Sequence, residues 1–235
     1  MSARQNILNR IRTNQKRSGA TPQTELAQAA SYIASHPQGP RPRADWPDMI
    51  VRFKEQALRL ASTVDEVKAT ADIPAAVARY LQGLNLPMTG ICWPALITLN
   101  WADAGLTMEG RPALGTDPVG VTGCFCAIAE TGTLLLTSSP TTPNAASLLP
   151  ATHIAIVNAS RIVQGMEEAW NLVRAELKQL PRACSFISGP SRTADIEQTL
   201  VIGAHGPYRV HIILLDEPHD DLINTDWWKL KRKPA

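Results

Sequence analysis

GVTGCFCAIAETGTLLL, residues 120–136, is the stretch whose reading decides the fold, and residues 188–207, SGPSRTADIEQTLVIGAHGP, answer it further along. Both set small and hydroxyl residues among a few ionisable ones, and both lie against apolar runs that read as strands. In the first, Gly120 and Gly123 precede a stretch, Cys124 to Ala129, whose small residues predict a short turn of helix. Glu130-Thr131-Gly132 then makes a sharp corner into the β-run Thr133 to Thr137, with Gly132 suited to a left-handed C-cap. In the second, the apolar run Cys184 to Ile187 ends in Ser188-Gly189-Pro190-Ser191, and a short helix is predicted from about Arg192. Strand, glycine corner and helix start together aim backbone N–H groups at an anion. The two corners are therefore expected to face each other at the carboxyl ends of neighbouring strands and to form the site.

Working outward, His153 to Val157 and Val210 to Leu215 are further strand-like runs, continuous rather than alternating. Continuous apolar strands between helices argue for a parallel sheet covered on both faces. Ser138 to Pro150, rich in Ser, Thr, Pro and Asn, reads as a surface loop. From Ser160 to about Leu180 apolar residues recur at three- and four-residue steps, which predicts one long helix. Asp48 to Ser62 and Ile73 to Leu81 also have a helical period, with Pro74 tolerated in the first turn of the latter. Residues 1–45 form an N-terminal helical extension ending in the proline-rich linker His36 to Pro42, and residues 46–235 form the main domain.

At 235 residues and 44% hydrophobic, the chain can bury a full core. A net charge of +2 gives no warrant for a nucleic-acid partner. The charges are unevenly placed: Arg4, Arg10, Arg12, Lys16 and Arg17 precede the first acid, Glu25, and an acidic patch from Asp216 to Asp221 precedes the basic run 229–233. Ile7, Leu8 and Ile11 among the N-terminal cations suggest a short amphipathic helix. The absence of a membrane-spanning run and of a secretory h-region leads to the expectation of a cytoplasmic protein. Cys92, Cys124, Cys126 and Cys184 lack the paired local spacing of zinc or iron–sulfur sites, so no metal is expected on this chain. The common cofactor loops and hydrolase signatures are absent as well.

Chemistry is expected from a small set of residues. Glu130, at a corner beside a buried run, suits a base, a nucleophile or a hydrogen-bond acceptor, and Thr131 and Thr133 flank it. Gly123, Gly132 and Gly189 supply the backbone of the corners, while Ser188, Ser191, Arg192 and Thr193 give three hydroxyls and a cation suited to a small anion. His205, between Gly203 and Gly206, is an acid/base candidate. His153 and His211 lie in apolar runs and read as core histidines.

The strings GVTGCFCAIAETGTLLL, LLP-ATHIAIV, ISGPSRTADIE and IGAHGP closely resemble the lactate-utilisation protein C family, the LUD domain, in order from Trp46 to Asp216. The resemblance implies a three-layer α/β/α Rossmann-like sandwich of the NagB, ribose-5-phosphate isomerase and CoA-transferase type. It also implies a role in bacterial oxidation of L-lactate to pyruvate, beside two partner proteins that carry the iron–sulfur clusters. Cys124 and Cys126 depart from the small residues expected there. Glu130-Thr131-Gly132 is similar to the Glu-x-Gly corner of CoA-transferases, which leaves open a stand-alone enzyme acting on a CoA ester or phosphosugar through Glu130. A metabolite-sensing regulator or scaffold is the third expectation.

Overall fold

The structure is a computed structural model that describes residues 2–16, 21–41, 46–177, 179–194 and 198–216. Arg17, Asp45, Asp195, Glu197, the acidic residues Glu217 to Asp221 and the basic run 229–233 lie outside the described residues. The chain divides into two compact units, residues 1–43 and 44–235. The first holds α1 (Ala3–Asn14), whose first turn is capped by Ser2, and α2 (Gln23–Ser35). Neither helix buries a residue, and Ile7, Ile11, Leu26, Tyr32 and Ile33 are all exposed.

The second unit begins with α3 (Met49–Arg59), which starts where the Asp48 carboxylate accepts from the N–H groups of Ile50 and Val51. Phe53 and Ala57, one turn apart, are its fully buried face. In chain order there follow β1 (Thr63–Val67), α4 (Ile73–Gly83), β2 (Thr89–Cys92), β3 (Thr107–Gly110), β4 (Val119–Thr122), β5 (Cys126–Ile128), β6 (Thr133–Thr137), β7 (Thr152–Asn158), β8 (Ile162–Val163), α5 (Met166–Glu176), β9 (Cys184–Ile187), β10 (Arg192–Thr193), β11 (Val201–Ile202) and β12 (Arg209–Leu215). Six strands form an all-parallel sheet in the order β1-β12-β7-β4-β2-β3. This is the α/β fold expected from the continuous apolar runs, and β7 is buried along its whole length.

A four-stranded sheet, β8-β5-β6-β9, lies beside it, with β5–β6 and β6–β9 antiparallel. Its apolar residues alternate between two cores. Ala127, Ala129, Leu134 and Leu136 join the main core with Phe53 and Ala57, while Cys126, Ile128 and Leu135 pack with Ala169, Val173 and Leu177 of the α5 segment. Because both faces of this sheet are covered, its strands read as unbroken apolar runs instead of alternating ones.

Three sequence expectations are corrected here. Cys124 to Ala129 is not helical: Cys126 to Ile128 is a strand bonded to β6 on one side and β8 on the other, so sheet pairing overrides the helix former alanine. The helix expected from Ser160 to Leu180 is only α5, because Ala159 to Arg161 is a 3-10 turn and Ile162–Val163 pairs with β5. Its start is held by the Glu168 carboxylate, which accepts from the Gly165 N–H at 3.0 Å. The loop 138–150 is not wholly at the surface, since Thr142, Ala146 and Ser147 are buried.

Candidate functional site

The two glycine corners do converge, and what joins them is the end of α3. Gly132, at φ 65°, closes the β5–β6 turn by donating its N–H to the Ile128 carbonyl at 2.9 Å. A Cβ placed on it would lie 2.5 Å from the Ala57 backbone nitrogen. Gly189, at φ 77°, follows β9, and a Cβ there would lie 2.3 Å from the Leu60 carbonyl oxygen. Both positions therefore demand glycine twice over, for the left-handed backbone and for contact with the last turn of α3. The Arg192 guanidinium donates to that same Leu60 carbonyl at 3.0 Å, where a cation also suits the helix C-terminus.

A file of hydroxyls links the corners. Thr131 Oγ1 and Thr133 Oγ1 are 2.8 Å apart, and Thr133 Oγ1 and Ser188 Oγ are 2.7 Å apart. Thr133 is buried, while Thr131 and Ser188 are exposed. The register of β6 against β9 pairs Leu134 with Ile187, which brings Thr133 and Ser188 face to face. Glu130 donates its backbone N–H to the Gln164 carbonyl at 3.0 Å. Its carboxylate is partly exposed and has no hydrogen-bond or ion-pair partner among the described residues.

Residues 191–194 and 198–207 fold onto the same edge. Ser191 N–H donates to the Pro207 carbonyl at 3.0 Å, and Gly203 N–H donates to the Ser191 carbonyl at 2.9 Å. His205, exposed between them, sits on this returning loop. No helix starts at Arg192: Arg192 and Thr193 pair with Ile202 and Val201 as a two-residue antiparallel ladder. The two strands that lead into the corners, β5 and β9, are not direct neighbours, because β6 stands between them. Leu60 precedes β1, and Tyr208, just before β12, donates its N–H to the Ala151 carbonyl just before β7, at 2.8 Å. The corners thus follow the carboxyl ends of β5 and β9 in the small sheet, and they gather beside the amino ends of β1, β12 and β7 of the large one. Gly123 stands apart from them, buried at the carboxyl end of β4, at the other end of the β5–β6 hairpin.

Two buried histidines carry polar chemistry that their apolar neighbourhood hid. His153 Nε2 lies 2.8 Å from Thr122 Oγ1, and burial pushes the ring down to about 3. His211 Nδ1 lies 2.8 Å from Thr63 Oγ1, the ring stacks on Tyr80 at 3.9 Å, and burial pushes it down to about 4. His153 Nδ1 and His211 Nε2 have no hydrogen-bond partner among the described residues, nor has the buried Ser62 Oγ beside β1. The Cys126 and Cys92 thiols are pushed up to about 12 by burial, and the Cys124 thiol is raised in the same way while donating to the Cys126 carbonyl at 2.9 Å. Such thiols stay protonated at neutral pH and are poor ligands or nucleophiles. Among the described residues no group of three His, Cys, Asp or Glu could hold a metal ion. A cavity of about 500 Å³, lined by Leu99, Trp101, Leu106 and Met108 among others, opens by the edge strand β3, across the sheet from the corners.

Sequence reasoning missed the last turn of α3, because nothing in residues 56–60 marks them as the floor beneath two distant glycines. It also missed the Thr122–His153 and Thr63–His211 pairs, which only strand register reveals.

The family model for the LUD domain matches residues 50–215. Lactate utilization protein C of Deinococcus radiodurans is 32% identical over 176 residues, covering 72% of this chain and 80% of that protein. Lactate utilization protein C of Bacillus subtilis is 38% identical over 129 residues, covering 53% of this chain and 54% of that protein. The chain thus spans about half the length of the Bacillus relatives it matches. A crystal structure of a DUF162 family protein from Deinococcus radiodurans superposes with a TM-score of 0.55 at 27% identity, covering 75% of this chain and 99% of that one.

Proposed function

The chain belongs to the LUD domain family, and on that premise we propose that it is a subunit of a bacterial L-lactate utilisation system, binding a small carboxylate or similar anion where its glycine corners meet. The observation that carries the reading is the convergence of Thr131, Thr133 and Ser188 hydroxyls with the Arg192 guanidinium on the end of α3. An array of hydroxyls and one cation fixed by two rigid turns suits a small anion without needing a metal. In this reading the redox centres are iron–sulfur clusters of partner proteins, and this chain brings binding and orientation. Its buried, protonated thiols are consistent with that division of labour. No described helix is long and apolar enough to cross a membrane.

The test is direct. L-lactate titrated into the purified chain is expected to bind, and Arg192→Ala is expected to weaken it by about 1.5–3 kcal/mol through loss of a charged hydrogen bond. An unchanged dissociation constant would remove Arg192 from the site. At the cellular level, deletion of the gene is expected to abolish growth on L-lactate in a strain with no other lactate dehydrogenase.

A second reading is favoured by one observation, the partly exposed Glu130 carboxylate with no partner among the described residues. Held on a turn that Gly132 fixes, it suits nucleophilic attack on an acyl-CoA carbonyl, which gives a mixed glutamyl anhydride and expels CoA thiolate. The thiolate then attacks the glutamyl carbonyl, giving a glutamyl–CoA thioester and releasing the carboxylate of the acyl group. A covalent adduct after incubation with acyl-CoA, lost in Glu130→Gln, is the expected result. His205 would serve such chemistry as acid or base, and His205→Gln would slow turnover without preventing the adduct.

A further inference from the structure

The three hydroxyls in file carry more information than three separate hydroxyls would. Each has one proton to give and an oxygen that accepts. The two bonds Thr131–Thr133 and Thr133–Ser188 use two of the three protons. Thr133 Oγ1 has no third hydrogen-bond partner among the described residues, so accepting from both neighbours would leave its own proton buried and unpaired. It therefore accepts from one and donates to the other, and one outer hydroxyl keeps a proton to donate outward while the other offers lone pairs only. The middle member, Thr133, is 3% exposed and has no water to turn to, whereas both ends open to solvent. Neither end can drift from the other, because Gly132 and Gly189 are each wedged against the backbone of α3 or the residue after it.

Resting on the reading of the corners as an anion site, we propose that Thr133 is the positioning residue of that site. As the buried middle of the file it makes Thr131 and Ser188 an opposite pair, one donor and one acceptor, and so selects a small acid bearing a hydroxyl over its keto counterpart. A hydroxy acid meets both ends at once, its carboxylate taking the outward proton and its hydroxyl giving one to the opposite end. A keto acid has acceptors only. To engage both ends it must turn one hydroxyl around and break an inner bond, which strands a buried polar group at Thr133.

The experiment uses the full chain with L-lactate, pyruvate and propionate as probes in isothermal titration. L-lactate is expected to bind about fivefold tighter than pyruvate or propionate, the worth of one net hydrogen bond. Thr133→Val keeps the side-chain shape and cannot relay, so it is expected to bring L-lactate to the level of pyruvate, while Thr133→Ser restores the difference. Urea midpoints of both variants separate folding from recognition. Equal binding of L-lactate and pyruvate by the unaltered chain overturns the file's role and leaves the corners a general anion site. A Thr133→Val chain that loses stability yet keeps the ratio of affinities makes the file a cross-strand structural pair only, and also overturns the proposal. Binding of none of the probes overturns the proposal together with the site on which it rests.

Discussion

Gly132 and Gly105 make a matched pair for separating strain from crowding. Both take positive φ, 65° and 72°, but an added Cβ meets the α3 backbone at Gly132 and nothing within 4 Å at Gly105. Gly105→Ala is expected to cost about 1 kcal/mol, the left-handed penalty alone, and Gly132→Ala about 2–4 kcal/mol because backbone must move. Urea denaturation of the two variants checks the difference, and equal losses would mean that the corner yields easily. At the same scale, His211 ties stability to pH. Its ring titrates near 6.5 when unfolded and near 4 when folded, so between these values the unfolded chain binds the extra proton. Stability is therefore full above 6.5 and falls as the pH is lowered toward 4. At pH 5 the share of His211 is on the order of 2 kcal/mol, and buried His153, pushed down to about 3, adds a similar one. His211→Gln is therefore expected to remove about half of the fall in urea midpoint between pH 7 and 5. The glycines of both corners were legible in the sequence as bends. Their true demand, an abutting helix, was not, because it depends on a segment more than seventy residues away from Gly132.

Elements here are joined by a few polar clamps set between apolar layers. Arg161, just before β8, reaches Glu176 at the end of α5 through two bonds of 2.6 and 2.8 Å, donates from Nε to the Phe125 carbonyl at 3.0 Å, and covers the Phe125 ring at 4.9 Å. The clamp spans helix, small sheet and the entrance to the β5–β6 hairpin. Glu176→Ala leaves a largely buried guanidinium short of its counter-ion and is expected to lower stability by about 1–3 kcal/mol. Arg161→Met with Glu176→Leu should recover part of that loss, which a double-mutant cycle in urea would measure. Helix α3, helix α4 and the buried strands were readable from period and apolar content. Strands β5, β8 and β10 were not, because runs of two or three residues have no measurable period and exist only through partners distant in sequence. The setting of the corners has the same origin: local signals give bends, but only strand pairing shows that they lie in a second, smaller sheet with β6 between their strands.

On the scale of the whole molecule, the family-matched residues 50–215 coincide with the part that contains both apolar cores, whereas α1 and α2 bury nothing. A chain beginning at Ala44 is therefore expected to unfold within about 2 °C of the full chain in calorimetry, since neither α1 nor α2 has a fully buried residue. A larger drop would mean that the first unit contributes to the stability of the second. The long-range register is the other molecular property, for among the described residues β1 pairs with β12 alone, with Thr63 opposite His211. During translation β1 leaves the ribosome long before that partner exists, with its hydrogen-bonding edges open. The sheet can close only after Leu215 has left the ribosome, so nascent chains of this protein should depend on chaperones until β12 emerges.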